Sequence, residues 1–217
     1  MVEPVTDQER WDWTATMATH HLLGHRRAFG AHMRYWIRVQ TPNGARIVGA
    51  MLFGAAAKAL VARDRWIGWS AEKRLRYRPR IVNNNRFFIL LQVQIPHLAS
   101  HALALAARRI RMDWQARYGY APVLLETFVE PPNEGVCYRA ANWILVGHTA
   151  GRSRQDQHHT CAVTTKSVWM YPLVRDWRRR LFEPLPAPTE EYEWGSRGGA
   201  GTARVADRVQ GAIGHRV

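Results

Sequence analysis

The chain has 217 residues, 47% of them apolar, which suits one domain of about 180 residues followed by a tail. No apolar run approaches the ~20 residues of a membrane span, Met1-Val2-Glu3-Pro4 lacks the basic-then-apolar pattern of a signal peptide, and Cys137 and Cys161 make no disulfide framework, so a cytoplasmic protein with no membrane partner is expected. Lys and Arg number 31 against 17 Asp and Glu, a formal net charge of +14, and this excess predicts a polyanionic partner: nucleic acid, with DNA foremost.

In chain order, Thr6 or Asp7 caps a helix running to about His21, with Trp11, Thr14, Met17 and His21 spaced for one face, and Gly24 ends it. Residues 32–40 and 46–53 are strands flanking Thr41-Pro42-Asn43-Gly44, a hairpin signal. The segment 54–62 is short, Ala-rich and ambiguous, and 64–80 reads as a charged connector. Residues 87–95 form a β-rich apolar run expected to be buried on both faces. Pro96 then turns the chain into a helix, and residues 121–129 return as a strand. Strand, helix and strand with short connections force a parallel pair and a right-handed crossover, and the crevice where such strands end is a place for ligands. A short helix near 136–141 and strands at 143–146 and 166–173, around the polar loop 147–165, complete the domain. From 183 onward Pro184, Pro186 and Pro188 stiffen the chain, and 195–217 is rich in Gly, Ala and Arg. The division is therefore a domain at 1–182 and a disordered tail at 183–217.

Several side chains carry chemistry. The helix after Pro96 turns its free amides and positive dipole end toward the crevice, so His97-Leu98-Ala99-Ser100 is the candidate cradle for a phosphate or carboxylate; the alternative makes Ser100 an ordinary first-turn residue. No glycine lies between Phe87 and Tyr118, which obstructs close backbone approach by a large phosphate. Glu126 stands near the end of an apolar strand, where burial would raise its pKa toward that of a useful base; the alternative pairs it with an arginine. His20-His21 offers a base or a metal ligand, or a structural pair. His158-His159-Thr160-Cys161 is a weak zinc pattern, and no metal site is predicted. The amides of Asn83-Asn84-Asn85-Arg86 cap turns or contact a ligand, with turn chemistry the first reading. Charges cluster at 63–80, 108–117 and 175–180, with Trp66, Trp69, Trp114 and Trp177 among them for stacking on bases or for the core. Arg74, Arg76, Arg86, Arg108, Arg139 and Asn142 are the expected nucleic-acid contacts.

His20-His21-Leu22-Leu23-Gly24, Arg63-Asp64-Arg65-Trp66-Ile67-Gly68-Trp69, Ile81-Val82-Asn83-Asn84-Asn85-Arg86-Phe87, Leu98-Ala99-Ser100-His101, Leu125-Glu126-Thr127-Phe128-Val129 and Cys137-Tyr138-Arg139-Ala140-Ala141-Asn142-Trp143 together resemble the DruA-like family. That family belongs to Druantia anti-phage defence and occurs beside or fused to transposases. A more distant resemblance is to the acyl-CoA N-acyltransferase fold, especially Mom-like enzymes that modify DNA adenines. The resemblance implies an α/β domain with a mixed sheet, splayed between Ile95 and Glu126. It also implies a crevice lined by His21, Tyr35, Ser100 and Glu126, and an acyl-CoA or another small donor. Leu22 departs from the Tyr that often follows the histidine, and the Gly-rich pyrophosphate loop is missing. The expectation is a DNA-associated protein of defence or mobile elements that transfers an acyl-type group to a nucleobase, with defence-system or transposase proteins as partners. The alternative is a non-catalytic module binding nucleic acid or a partner protein.

Overall fold

Gly44 takes φ +103, a conformation that glycine reaches without a side-chain clash, and it closes the hairpin between strands β2 (His32–Thr41) and β3 (Gly44–Ala55). The Thr41 hydroxyl ties the turn by donating to the Gly44 carbonyl at 2.7 Å. Outside this hairpin lies β1 (Val2–Pro4), antiparallel to β2 and too short to be legible in the sequence. On its other side come β4 (Ile81–Ile89), then β5 (Leu124–Val129), β7 (Ser167–Pro172) and β6 (Ile144–His148), in the order β1-β2-β3-β4-β5-β7-β6. Every neighbouring pair is antiparallel except β4 and β5. The computed structural model describes residues 1–185 apart from 23, 25–27, 29 and 151–163. The His158-His159-Thr160-Cys161 pattern, and the tail from 186 onward, lie outside the described residues.

Two layers cover the sheet. Helix α4 (Leu98–Tyr118) buries Ala102, Leu103, Ala106, Ala107, Ile110 and Trp114 in a core shared with Tyr35, Ile37, Met51, Phe53, Val82 and Leu125. A separate cluster joins α1 (Arg10–His20), through Trp13 and Met17, to Trp36, Ala50 and Leu52. These residues alternate with the α4-facing ones along β2 and β3, so α1 lies on the opposite face. α1 starts at Arg10 because the Glu9 carboxylate accepts from both the backbone N–H and the hydroxyl of Thr6, which holds residues 6–9 in a turn. Its buried stripe is Trp13 and Met17; Trp11 is 83% exposed, and His21 follows the helix as an extended residue.

The strand expected at 87–95 is displaced. β4 begins at Ile81 and ends at Ile89, because its partner β3 offers Gly49 opposite Ile89 and Val48 accepts one last bond from Leu90. Leu91 is 97% exposed. Asn83 and Asn84, read from sequence as turn amides, are buried strand residues. The charged connector folds into α2 (Val61–Ile67), α3 (Ala71–Tyr77) and a 3-10 turn Arg78–Arg80. Gly68 at φ +77 stops α2, and the Ser70 hydroxyl caps α3 by accepting from the Lys73 N–H. Two short helices, α5 (Val136–Ala140) and α6 (Trp177–Leu181), follow.

Candidate functional site

β4 and β5 pair only at Ile81 with Leu124, Val82 with Leu125 and Asn83 with Glu126. The crevice therefore opens just after Asn83 and Glu126, not between Ile95 and Glu126. A bulge opposite Leu52 and Phe53 leaves Asn85 as the extra residue of β4. This turns Arg86 and Phe88 toward the α1 face, and Asn84 and Phe87 toward the α4 face. At the base of the crevice the Thr127 hydroxyl donates to the Asn84 carbonyl at 3.0 Å, and the Tyr138 hydroxyl donates to Asn84 Oδ1 at 2.8 Å. Tyr138 arrives on α5, its ring edge-on to Phe87 and Trp143. Gly135, at φ +72, lets that helix start against Trp169, where a Cβ would stand 2.9 Å from the indole. Burial pushes the Tyr138 hydroxyl above its ordinary pKa, so it serves as a neutral donor.

The residues predicted to be catalytic do not converge. Glu126 and Arg63 are both fully buried. One carboxylate oxygen of Glu126 accepts from the Ala57 N–H at 2.7 Å and the other from Arg63 at 2.9 Å, while the same guanidinium nitrogen donates to the Ala57 carbonyl at 2.9 Å. Burial raises the Glu126 carboxyl against the pull of Arg63 and the Ala57 N–H. Asp64 extends the network, accepting from Arg63, Trp69, Arg74 and the Leu60 N–H. Burial would raise the Asp64 carboxyl, but the Trp69 N–H, the Arg63 charge and the Leu60 N–H hold it below its usual value. Tyr35 lies on the α4 face, donating at 3.0 Å to Asp113, which also takes Arg109 at 2.6 Å. Burial, then Asp113, raises its pKa far beyond reach at neutral pH.

His21 stands elsewhere. Phe88 meets His20 in a stacked contact at 6.1 Å and His21 edge-on at 6.4 Å. Arg86, two residues before Phe88, donates to the carbonyls of Gly24 at 3.3 Å and Asn85 at 2.7 Å. Burial first, and Arg86 second, lower the His21 pKa to about 4, so its imidazole is neutral at pH 7. Phe88 and Arg86 belong to the part of β4 beyond its pairing with β5, so His20, His21, Arg86 and Phe88 gather on the α1 side of the open crevice.

His97 precedes α4 at φ +59. Its carbonyl takes both the Ser100 hydroxyl at 3.0 Å and the His101 N–H at 3.0 Å, and Leu98 N–H bonds Ile95 at 3.3 Å. This leaves Ala99 and Ser100 to supply the outward first-turn amides. Coenzyme A fits this arrangement poorly: Ala99 and Ser100 offer only two free amides, the Ser100 hydroxyl is held by His97, and no glycine between Phe87 and Tyr118 permits the close backbone approach that a pyrophosphate wants.

The expected nucleic-acid contacts are dispersed. Arg74 is bound to Asp64, Arg76 lies 5.4 Å from the Tyr77 ring, Arg108 is exposed on α4 and Arg139 lies 6.0 Å from the Trp169 ring. Asn142, exposed at φ +62, donates its N–H to the Arg139 carbonyl just after α5, the turn position Asn tolerates. Trp69, Trp114 and Trp177 are core residues, and Trp66 stacks on Trp177 at 4.6 Å. Sequence reasoning gave Arg63 no site role, although it opens both the charge cluster at 63–80 and the stretch Arg63–Trp69. Among the described residues no helix is long and apolar enough to cross a membrane.

A seven-stranded mixed sheet with one parallel pair that parts beside the start of a long helix defines a protein of the acyl-CoA N-acyltransferase fold. The chain is similar to a chimera of the spermidine N-acetyltransferase SpeG from Vibrio cholerae and hSSAT, at 8% identity and TM-score 0.50, over 84% of this chain and 99% of that one. It is similar also to the ribosomal-protein-S5-alanine acetyltransferase from Vibrio fischeri, at 10% identity and TM-score 0.48, over 81% and 93%. These likenesses concern the fold alone. No curated protein matches the sequence. The family model described as Druantia protein DruA matches residues 1–161, and the chain belongs to that family.

Proposed function

We propose that this chain is a nucleic-acid-binding protein of anti-phage defence that uses an acyltransferase fold as its binding scaffold, with DNA as the ligand. One observation carries the reading: three of the four groups expected to serve transfer are occupied in holding the fold. Glu126 is committed to Arg63 and Ala57, Tyr35 to Asp113, and the Ser100 hydroxyl to its own turn. The net charge of +14 meanwhile favours a polyanion. Defence-system or transposase proteins are the partners this reading expects.

A second reading has its own support. His20, His21, Arg86 and Phe88 stand together by the open part of β4, and His21 is neutral at pH 7. In a group-transfer reaction His21 would take the proton of a nucleobase amine as that amine displaces the leaving group of a small donor other than coenzyme A. Mass spectrometry of nucleosides from cells expressing the chain separates the two. The binding reading expects no new mass, and nuclease-sensitive nucleic acid copurifying with the protein. A new nucleoside mass that disappears with His21→Gln would replace it with the transfer reading.

A further inference from the structure

At the start of α1, on the face of the sheet opposite α4, Asp7, Arg10, Trp11, Thr14 and Arg34 line a cavity of about 190 Å³. Arg34 rises from β2 with its guanidinium 5.4 Å from the Trp13 ring, and Trp13 is anchored by donating to the Tyr35 carbonyl at 3.1 Å. The Nε of Arg34 is buried without a hydrogen-bond partner among the described residues, and no carboxylate among them pairs with this guanidinium. Arg117, exposed at the end of α4, lies outside the cavity lining, and its charge is felt at Arg34 from there. Burial, then Arg10, then Arg117 lower the Arg34 pKa. The acid at hand is Asp7, 3.7 Å from Arg10 and almost wholly exposed, so it can swing aside. Beside them Trp11 is 83% exposed.

Two guanidiniums, one of them with a buried Nε and no carboxylate partner among the described residues, served by one exposed carboxylate are an anion site, and an exposed indole at its rim is a platform for a flat apolar group. A nucleotide of an unpaired strand presents both. We infer that this pocket binds single-stranded nucleic acid, with a backbone phosphate between Arg10 and Arg34 and the adjoining base stacked on Trp11. The inference rests on the nucleic-acid reading for the identity of the anion, and it places the binding away from the crevice.

The test is fluorescence anisotropy of a labelled oligo-dT strand with the full chain, as a function of salt. The wild type binds. Arg34→Met weakens binding by roughly ten- to a hundredfold at low salt, and the surface variant Arg10→Gln does the same without touching a packed residue. In both, the slope of log affinity against log salt falls by about 0.7 for each phosphate that is no longer neutralised. Trp11→Ala weakens binding by roughly five- to a hundredfold with the slope unchanged. Wild-type affinity in Arg10→Gln and in Trp11→Ala would overturn the site while leaving the nucleic-acid reading in place. No binding by the wild type would overturn both.

Discussion

Glu126→Ala removes the carboxylate opposite Arg63 and leaves a guanidinium with no exposed surface beside an empty site. Breaking a buried pair from one side costs about 3–5 kcal/mol, because the remaining charge stays desolvated. Arg63 keeps Asp64 and the Ala57 carbonyl, whereas the Ala57 N–H loses its acceptor, so the lower end of that range is expected. At about 2–4 °C of Tm per kcal/mol for a domain of this size, thermal unfolding followed by circular dichroism should show a fall of about 6–12 °C. Glu126→Gln keeps an acceptor for the Ala57 N–H and should fall less. Combining Glu126→Leu with Arg63→Met replaces both charges by apolar groups and should recover at least half of the loss. Unfolding of Glu126→Ala within about 2 °C of the wild type would refute the reasoning, since the carboxylate would then not be engaged in the core and would be available for chemistry.

The folded-state pKa of His21 lies below its unfolded value, so its contribution to stability is full above about pH 6.5 and is lost as pH falls toward 4. An NMR titration should find its midpoint near 4; a midpoint at the ordinary histidine value would remove the burial on which this rests. Tyr138→Phe leaves Asn84 Oδ1 without its donor and should cost about 1–3 kcal/mol, read by chemical denaturation; an unchanged midpoint would mean that the crevice base is not cross-linked. Gly135→Ala combines φ +72 with a 2.9 Å approach to Trp169 and should cost at least about 1 kcal/mol with a shift in tryptophan emission. Wild-type stability and emission would contradict the placement of α5.

The sequence was most legible where local chemistry decides the structure. Thr41-Pro42-Asn43-Gly44 marked the hairpin, the apolar period after Pro96 marked α4, and the return strand at Leu124–Val129 followed. It was least legible where a distant partner decides. β4 ends at Ile89 because its ladder to β3 closes with Gly49 opposite Ile89 and a last bond from Leu90 to Val48, not because its apolar run stops. α2 and α3 are seven residues each, too short for a period to stand out among charges. The site divides in the same way: the carboxylate at 126 was visible, and its pairing with an arginine was one of two readings, but only the fold brings Arg63 to it. The meeting of His21 with Phe88, and of Arg34 with Arg10, joins residues that no spacing relates.

Under the proposed function this chain grips nucleic acid through its arginines. The most direct test is the affinity of the full chain for a set of DNA strands of differing sequence, measured between about 50 and 200 mM salt. The account predicts binding that weakens linearly on a log–log plot with little regard to sequence. Absence of binding at low salt, or an affinity that salt leaves unchanged, would contradict it.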